Sequence, residues 1–272
     1  MILSSITVCL VPEASGGPFV YHGDVPTACR DASAQGFDAI EIFAPSGRHV
    51  NRAHLQELLG RHRLQLAAVG TGAGMLLHNH SLSDPNTGNR QRACAYVREI
   101  IDFGADFGAP AIVGSMQGQT HGERSRESAL EDLADSIREL AGHAAGRGTE
   151  LLMEPLNRYE TDLVKTLSDG VQLIEVVGAE NVKLLADLFH MNIEETDPAQ
   201  AILDCPGKIG HVHFVDSNRR AAGFGHMDYG PIAHALSATG YNGFASAEAF
   251  PLPNAKAAAE MTIKAYRRYL AG

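Results

Sequence analysis

The stretch LLMEPLNRYETDL, residues 151–163, changes character abruptly at Glu154. The three residues before it are apolar and read as the end of a buried strand, yet a carboxylate follows them directly and Pro155 comes next. Burying a carboxylate costs on the order of several kcal/mol unless it is paired or bound to a metal. We therefore expect a positive partner for Glu154 at the end of this strand.

Short apolar runs alternate with longer amphipathic segments along the whole chain. Eight predicted strands lie at 5–10, 37–43, 64–70, 110–114, 150–154, 182–187, 209–214 and 243–248. Predicted helices follow them at 25–35, 52–61, 89–108, 123–148, 166–178, 198–204, 229–239 and 254–271. Eight strand–helix pairs in 272 residues predict an α/β fold, the (β/α)₈ TIM barrel. We expect residues 1–272 to form a single domain, because no linker or composition break divides them.

A doubly wound open sheet is the alternative fold. It would usually place a glycine-rich GxGxxG turn directly after the first strand, where the chain instead reads LVPEASGGPF. A second glycine-rich stretch, GTGAG at 70–74, lacks a following GK[ST] and is interpreted as close backbone approach at the barrel mouth. The nearby HNH at 78–80 is interpreted as a solvated loop or lid, and we do not expect a second metal site there.

Composition disfavours two classes of partner. The formal net charge is −10, and a protein that binds nucleic acid through phosphates needs clustered Lys and Arg. No apolar run approaches the roughly 20 residues of a membrane span, and the N-terminus lacks a basic segment and a cleavage site. We therefore expect a cytoplasmic protein with no nucleic-acid or membrane partner. The four cysteines are scattered without a CxxC pair, which predicts buried reduced thiols.

Three further strands carry a metal-ligand type of side chain at or near their ends. Asp187 closes VKLLAD, His213 lies in GHVHF, and Glu248 closes GFASAE. One acidic residue after a strand is usually a helix cap, but four ligand types on consecutive strand ends, which converge at a barrel mouth, predict a metal site. Three carboxylates and one imidazole suit Mn²⁺, Mg²⁺ or Co²⁺ better than a structural zinc. His211 lies two residues before His213, and we expect only one of the pair to face the barrel interior.

The segments MEPLNRYETDL, LLADLFHMNIEE, GHVHFVDSNRR and SAEAF resemble the xylose-isomerase-like TIM-barrel sugar isomerase/epimerase family. Within it they are most similar to the group of D-tagatose, D-psicose and L-ribulose 3-epimerases. The resemblance implies one divalent ion, Mn²⁺ before Mg²⁺ or Co²⁺, bound by Glu154, Asp187, His213 and Glu248. It also implies that Glu154 and Glu248 are the catalytic acid and base, inverting C3 of a ketose through a metal-stabilised cis-enediolate.

The resemblance extends to three substrate-binding residues. Glu160 would accept hydrogen bonds from the hydroxyl end of the sugar, while His190 and Arg219 would bind and polarise its carbonyl oxygen. Taken without the resemblance, SNRR is a polar surface turn and His190 a capping or packing residue. The implied partner is a small-molecule sugar, and the implied assembly is a homo-oligomer, a dimer or a tetramer.

Other activities on this scaffold stay open. An aldose–ketose isomerase similar to hydroxypyruvate isomerase, and a metal-dependent dehydratase or lyase, also begin by removing a proton next to a carbonyl. An enzyme similar to endonuclease IV would need more histidine ligands and a basic face, which the net charge of −10 disfavours. The loops after the first four strands depart from the 3-epimerase pattern, so the sugar and its phosphorylation stay open.

Overall fold

A computed structural model describes residues 1–120 and 122–271. The strands in this part of the chain are β1 (Leu3–Cys9), β2 (Tyr21–His22), β3 (Ala39–Phe43), β4 (Gln65–Gly70), β5 (Ala111–Val113), β6 (Leu151–Met153), β7 (Val182–Asp187), β8 (Ile209–His213) and β9 (Phe244–Ala247). The helices are α1 (Val25–Gln35), α2 (Arg52–His62), α3 (Ala73–His78), α4 (Thr87–Ala105), α5 (Arg126–Gly146), α6 (Leu167–Val177), α7 (Leu188–Glu194), α8 (Pro198–Leu203), α9 (Tyr229–Ala238) and α10 (Ala255–Tyr269).

The sheet closes on itself. Its order is β2-β1-β3-β4-β5-β6-β7-β8-β9, and β1 also pairs with β9, so eight strands form the barrel and β2 flanks β1. The ladders that join neighbouring barrel strands are parallel. The predicted (β/α)₈ TIM barrel is confirmed, and each predicted strand and helix is present with small differences at its ends. The carboxyl ends of the strands therefore share one face.

Three short elements were not predicted: β2, α3 and α7. Helix α3 has 6 residues and α7 has 7, too few for a helical repeat of apolar residues, and neither has the proline in its first turn that marks the equally short α8. The HNH stretch is partly helical, since His78 ends α3 and Asn79 follows with a left-handed φ of 52°. Helix α7 begins immediately after β7, because Asp187 Oδ1 accepts hydrogen bonds from the main-chain N–H groups of Phe189 and His190.

The longer helices begin at capping residues that are visible in the sequence. Asn51, Asn86 and Asn254 each accept a main-chain N–H from the first turn of α2, α4 and α10. At α6, Thr166 and Asp169 form a reciprocal capping box. These bonds satisfy N–H groups that have no partner inside the helix, so they set where each helix starts and how long the preceding loop is.

The barrel interior has an apolar and a polar side. Leu152 and Leu185 precede Glu154 and Asp187 by two residues, so they point to the same inner face as those carboxylates. They form an interior cluster with Ala68 and Ile112 on adjacent strands. Buried polar residues occupy the inner face of the other strands: Ser5, Thr7, Glu41, His211 and Ser246. The metal-ligand types thus lie above a packed floor.

Two expectations from composition can be compared with the structure. The four cysteines are free and buried, as predicted. Within residues 1–120 and 122–271, no helix combines the length and the apolar character needed to cross a membrane.

The packed floor yields the first prediction. Leu152→Ala should lower the free energy of unfolding by about 2–5 kcal/mol, because the fully buried side chain leaves a cavity. Denaturant titration measures this, with Val176→Ala on the exposed face of α6 as the control that should change stability little. A loss in Leu152→Ala as small as in the control would contradict a packed interior.

Candidate functional site

Four ligand-type side chains meet where neighbouring strands end. They are Glu154 directly after β6, Asp187 at the end of β7, His213 at the end of β8, and Glu248 directly after β9. Each offers one ligand atom, and these atoms lie within 4.8 Å of one another. His213 Nδ1 lies 3.1 Å from Asp187 Oδ2, 3.3 Å from Glu154 Oε1 and 3.6 Å from Glu248 Oε2. The fold thus brings together the set that the sequence predicted.

The state of Glu154 shows that this cluster fits a cation. Its Oε1 is buried and accepts no hydrogen bond from the described residues. Burial raises the pKa of Glu154 to about 7, against the opposing effect of His213, and burial also raises the pKa of Glu248. A divalent ion would stabilise the charged forms of these carboxylates. The set of hard oxygen atoms and one imidazole therefore supports a divalent metal.

His213 and His211 both point into the barrel. His213 Nε2 lies 3.2 Å from Glu41 Oε1, and His211 Nε2 lies 2.8 Å from Glu41 Oε2. The expectation that only one histidine would face the interior is wrong, because side chains two residues apart in a strand lie on the same face. Glu41 itself was missed. Its signal was a carboxylate inside the apolar strand FDAIEIF.

Asp187 has two tasks in the structure. One carboxylate oxygen caps α7, and the other faces His213 at 3.1 Å. Although burial raises the pKa of Asp187, His190 and Arg219 lower it below its ordinary value. The carboxylate is therefore ionised, and the cap holds it in place.

His190 is a buried, neutral ring at the site. Burial lowers its pKa to about 4. The main-chain N–H of Asn157 points at Nδ1 from 3.1 Å, and Arg219 Nη1 points at Nε2 from 3.0 Å, so a donor faces each ring nitrogen and the neutral ring can accept only one of them. Asn157 was not assigned a role from sequence, although it lies in the stretch of residues 151–163. The prediction that His190 lies at the site agrees with its position in the cavity wall.

Arg219 is held in the loop after β8 with a left-handed φ of 56°, a conformation that non-glycine residues rarely adopt. Its Nη2 donates to Glu248 Oε2, its Nη1 lies 3.0 Å from His190 Nε2, and its guanidinium lies over the Phe189 ring at 4.8 Å. These contacts hold the guanidinium between Glu248 and His190. Arg219 is thus part of the site and not of a solvated turn.

Glu160 lies at the rim. Its Oε1 accepts a hydrogen bond from Asn157 Nδ2 at 2.9 Å and lies 4.0 Å from Arg219 Nη1, and its side chain is 45% exposed. Arg158, two residues earlier, points away and pairs with Glu194. Glu160 thus joins His190 and Arg219 in the cavity wall, while Arg158 does not.

The cavity above the ligand cluster has a volume of about 410 Å³ and an apolar wall opposite the charged residues. Phe19, from the loop after β1, stacks on Phe43 with ring centroids 4.7 Å apart, and Met75 and Leu76 of α3 continue the wall. Gly72 lies against Phe43, where a Cβ would approach the ring to 3.1 Å. This agrees with the predicted close backbone approach in GTGAG.

Comparison with known proteins identifies the family. The model of the xylose isomerase-like TIM barrel family matches residues 29–268. The chain belongs to this family. As a member of the xylose isomerase-like TIM barrel family, it confirms the resemblance found in the strand-end motifs.

Two relatives and one solved structure illustrate the similarity. The L-ribulose 3-epimerase of Mesorhizobium japonicum is 30% identical over 226 residues, covering 79% of this chain and 72% of the relative. The 3-dehydro-D-guloside 4-epimerase of Escherichia coli is 36% identical over 148 residues, 54% of each chain. The crystal structure of D-psicose 3-epimerase with D-tagatose from Clostridium cellulolyticum superposes with a TM-score of 0.84 at 23% identity, covering 99% of both chains. That structure shows the shared fold.

A glycine beside the cluster gives the second prediction. In Gly114→Ala, the new Cβ would collide with Glu154 Oε2, so the flexible carboxylate must shift while the backbone stays. We expect the Mn²⁺ affinity to fall about tenfold or more, which is the loss seen when groups that orient a metal ligand are removed. The free energy of unfolding should change little. Calorimetric titration with Mn²⁺ measures the affinity.

Gly142→Ala in α5 is the matched control, because a Cβ there meets no heavy atom of the described residues within 4 Å. It should bind Mn²⁺ as the parent does. Parent-like affinity in Gly114→Ala would show that Glu154 does not need its present position to bind the ion.

Proposed function

We propose that this protein is a metal-dependent epimerase that inverts C3 of a small ketose. The observation that carries the proposal is the convergence of Glu154, Asp187, His213 and Glu248 within 4.8 Å at the barrel mouth. These four residues would hold one divalent ion, with Mn²⁺ the first choice. When bound, the ion would withdraw electrons from the substrate carbonyl and acidify the neighbouring C–H. The similarity to the L-ribulose 3-epimerase supports the reaction class.

Glu154 and Glu248 would transfer the protons. They follow β6 and β9, which are separated in the sheet by β7 and β8, so their carboxylates approach the site from different sides. One would remove the C3 proton from one face of the substrate, and the other would deliver a proton to the opposite face. The centre then inverts, and the two glutamates exchange roles when the reaction runs backward. Among the described residues, none donates a hydrogen bond to Glu154 Oε1, so this atom can accept such a proton.

His190 and Arg219 would bind the carbonyl oxygen. With the Asn157 N–H on Nδ1, the neutral His190 ring would carry its proton on Nε2, and Arg219 Nη1, 3.0 Å away, would turn from that nitrogen so that both donate to the carbonyl oxygen. Donors placed in this way stabilise negative charge that develops on the oxygen as the proton leaves. Glu160 would accept a hydrogen bond from a hydroxyl group at the rim.

The charge of the cavity favours an unphosphorylated sugar. Among its described lining residues Arg219 is the one Arg or Lys, and its guanidinium is engaged by Glu248. The lining also includes Glu41, Glu154 and Glu160. A phosphate would be repelled by these carboxylates without a free cation to bind it.

A 4-epimerase acting on a 3-keto sugar is the second candidate. The Escherichia coli relative, 36% identical over 148 residues, is a 3-dehydro-D-guloside 4-epimerase. Both reactions invert a hydroxyl-bearing carbon next to a ketone, so the same acid–base pair would serve either. They differ in where the carbonyl lies along the sugar.

Pairing of β1 with β9 supports the proposal of a single domain. Leu3–Cys9 lies beside Phe244–Ala247, so both ends of the sequence contribute to one barrel.

Deuterium incorporation distinguishes the candidate reactions. Mn²⁺-loaded protein is incubated in D₂O with free 2-ketoses, their phosphates and 3-keto glycosides, and the products are read by NMR. We expect inversion with deuterium at C3 of a free 2-ketose, because the removed proton exchanges with solvent. Label at C4 of a 3-keto sugar would favour the second candidate. Label at C1 or C2 would indicate aldose–ketose isomerisation, loss of water a dehydratase, and either result would overturn epimerisation.

The acid–base pair gives a separate prediction. Glu154→Gln and Glu248→Gln should each lower kcat by about 100- to 10,000-fold even at saturating Mn²⁺, because an amide cannot accept the proton. Glu194→Gln is the control, since this carboxylate pairs with Arg158 outside the cavity wall. It should keep parent kcat. If either site variant kept near-parental turnover, the two-carboxylate mechanism would be wrong.

A further inference from the structure

The buried carboxylate of Glu41 has no part in the steps above, yet it contacts the ligand cluster. It lies in the middle of β3 with 4% of its surface exposed. Its two oxygen atoms face two ring nitrogens, His213 Nε2 at 3.2 Å and His211 Nε2 at 2.8 Å. Thr7 is opposite Glu41 in register, but its hydroxyl donates to the carbonyl of Ala247 instead. The two histidines are thus the side-chain donors to Glu41 among the described residues.

Because an ionised carboxylate only accepts hydrogen bonds, both Nε2 atoms must carry a proton. A neutral His213 with its proton on Nε2 has a free lone pair on Nδ1. That nitrogen is the one facing Asp187, Glu154 and Glu248 at 3.1, 3.3 and 3.6 Å. The bond to Glu41 therefore selects both the tautomer and the orientation that a metal ligand needs.

We propose that Glu41 is a positioning residue that holds His213 with Nδ1 directed at the metal, and that His211 fixes the second oxygen of Glu41. A carboxylate bonded to the far nitrogen of a metal-binding histidine also raises the basicity of the ring. This inference rests on the proposed metal site. It does not depend on which sugar is the substrate.

A second cation between Glu41, His211 and His213 is the competing interpretation, because their ligand atoms also lie within 4.8 Å of one another. The geometry favours hydrogen bonds. Both nitrogen–oxygen separations, 2.8 and 3.2 Å, are ordinary hydrogen-bond lengths. All three residues are buried to 4% exposure or less. The number of ions bound per chain distinguishes the hydrogen-bonded arrangement from a second cation site.

The test is the Mn²⁺ affinity of Glu41→Gln, measured from the signal of free Mn²⁺ by electron paramagnetic resonance. The amide keeps the shape but can accept only one of the two N–H groups, and its NH₂ faces the other. We expect affinity to fall about 10- to 100-fold. Asp38→Asn is the matched control: this carboxylate accepts hydrogen bonds from Ser4 N–H and Oγ just before β3, away from the ligands. Its affinity should equal that of the parent.

His211→Leu tests the order of the contacts, because leucine has no side-chain N–H to donate to Glu41. It removes the outer bond and leaves the bond between Glu41 and His213, so it should lower Mn²⁺ affinity less than Glu41→Gln. Equal affinity of folded Glu41→Gln and the parent would overturn the positioning role. So would two ions per parent chain with one lost in the variant. A parent that binds no Mn²⁺ would instead overturn the proposed function itself.

The parent chain provides a readout that needs no variant, so the proposal stays testable if Glu41→Gln does not fold. In Co²⁺-loaded protein, the exchangeable ring proton of His213 should appear as a hyperfine-shifted resonance of Nε2–H. Its exchange with water should be slow, because the bond to Glu41 is buried. Assignment of that proton to Nδ1 would contradict the proposal.

Discussion

Repulsion between buried carboxylates is the constraint on which this site depends. Glu154, Asp187 and Glu248 lie around one imidazole, with burial raising the pKa of Glu154 to about 7. In a medium of low dielectric such a group is stable only if its carboxylates take up protons or a cation lies among them. Arg219 engages Glu248 and leaves Glu154 Oε1 unpartnered among the described residues. The packed core of the barrel fixes the strand ends and so holds these carboxylates close together despite their repulsion.

The surrounding structure restrains each of these groups through main-chain elements. Asp187 is both the cap of α7 and a member of the cluster, so the start of that helix and the position of the carboxylate are set together. The same helix turn carries His190, whose Nδ1 is bonded to the main chain of Asn157. The floor of Leu152 and Leu185 lies beneath. The cap of α7, the hydrogen bond to His190 and the packed floor thus all favour one arrangement of the side chains at the site.

Much of this arrangement was predictable from sequence, and the failures have physical causes. Ligand-type residues at the ends of four neighbouring strands predicted the cluster, because parallel strands in a barrel end on one face. Glu41 escaped because it lies mid-strand, and its partner His211 is 170 residues away along the chain. The prediction that His211 and His213 face opposite sides was wrong, because side chains two residues apart in a strand lie on the same side. Helices α3 and α7 were too short to show a repeat.

The most direct test of the central claim is anomalous diffraction at the manganese edge from crystals of the protein soaked in Mn²⁺. The account predicts one strong peak within coordination distance of a donor atom from each of Glu154, Asp187, His213 and Glu248. Asp187 should keep its bond to the start of α7. A peak bound elsewhere, or no peak among these four residues at saturating Mn²⁺, would contradict the account.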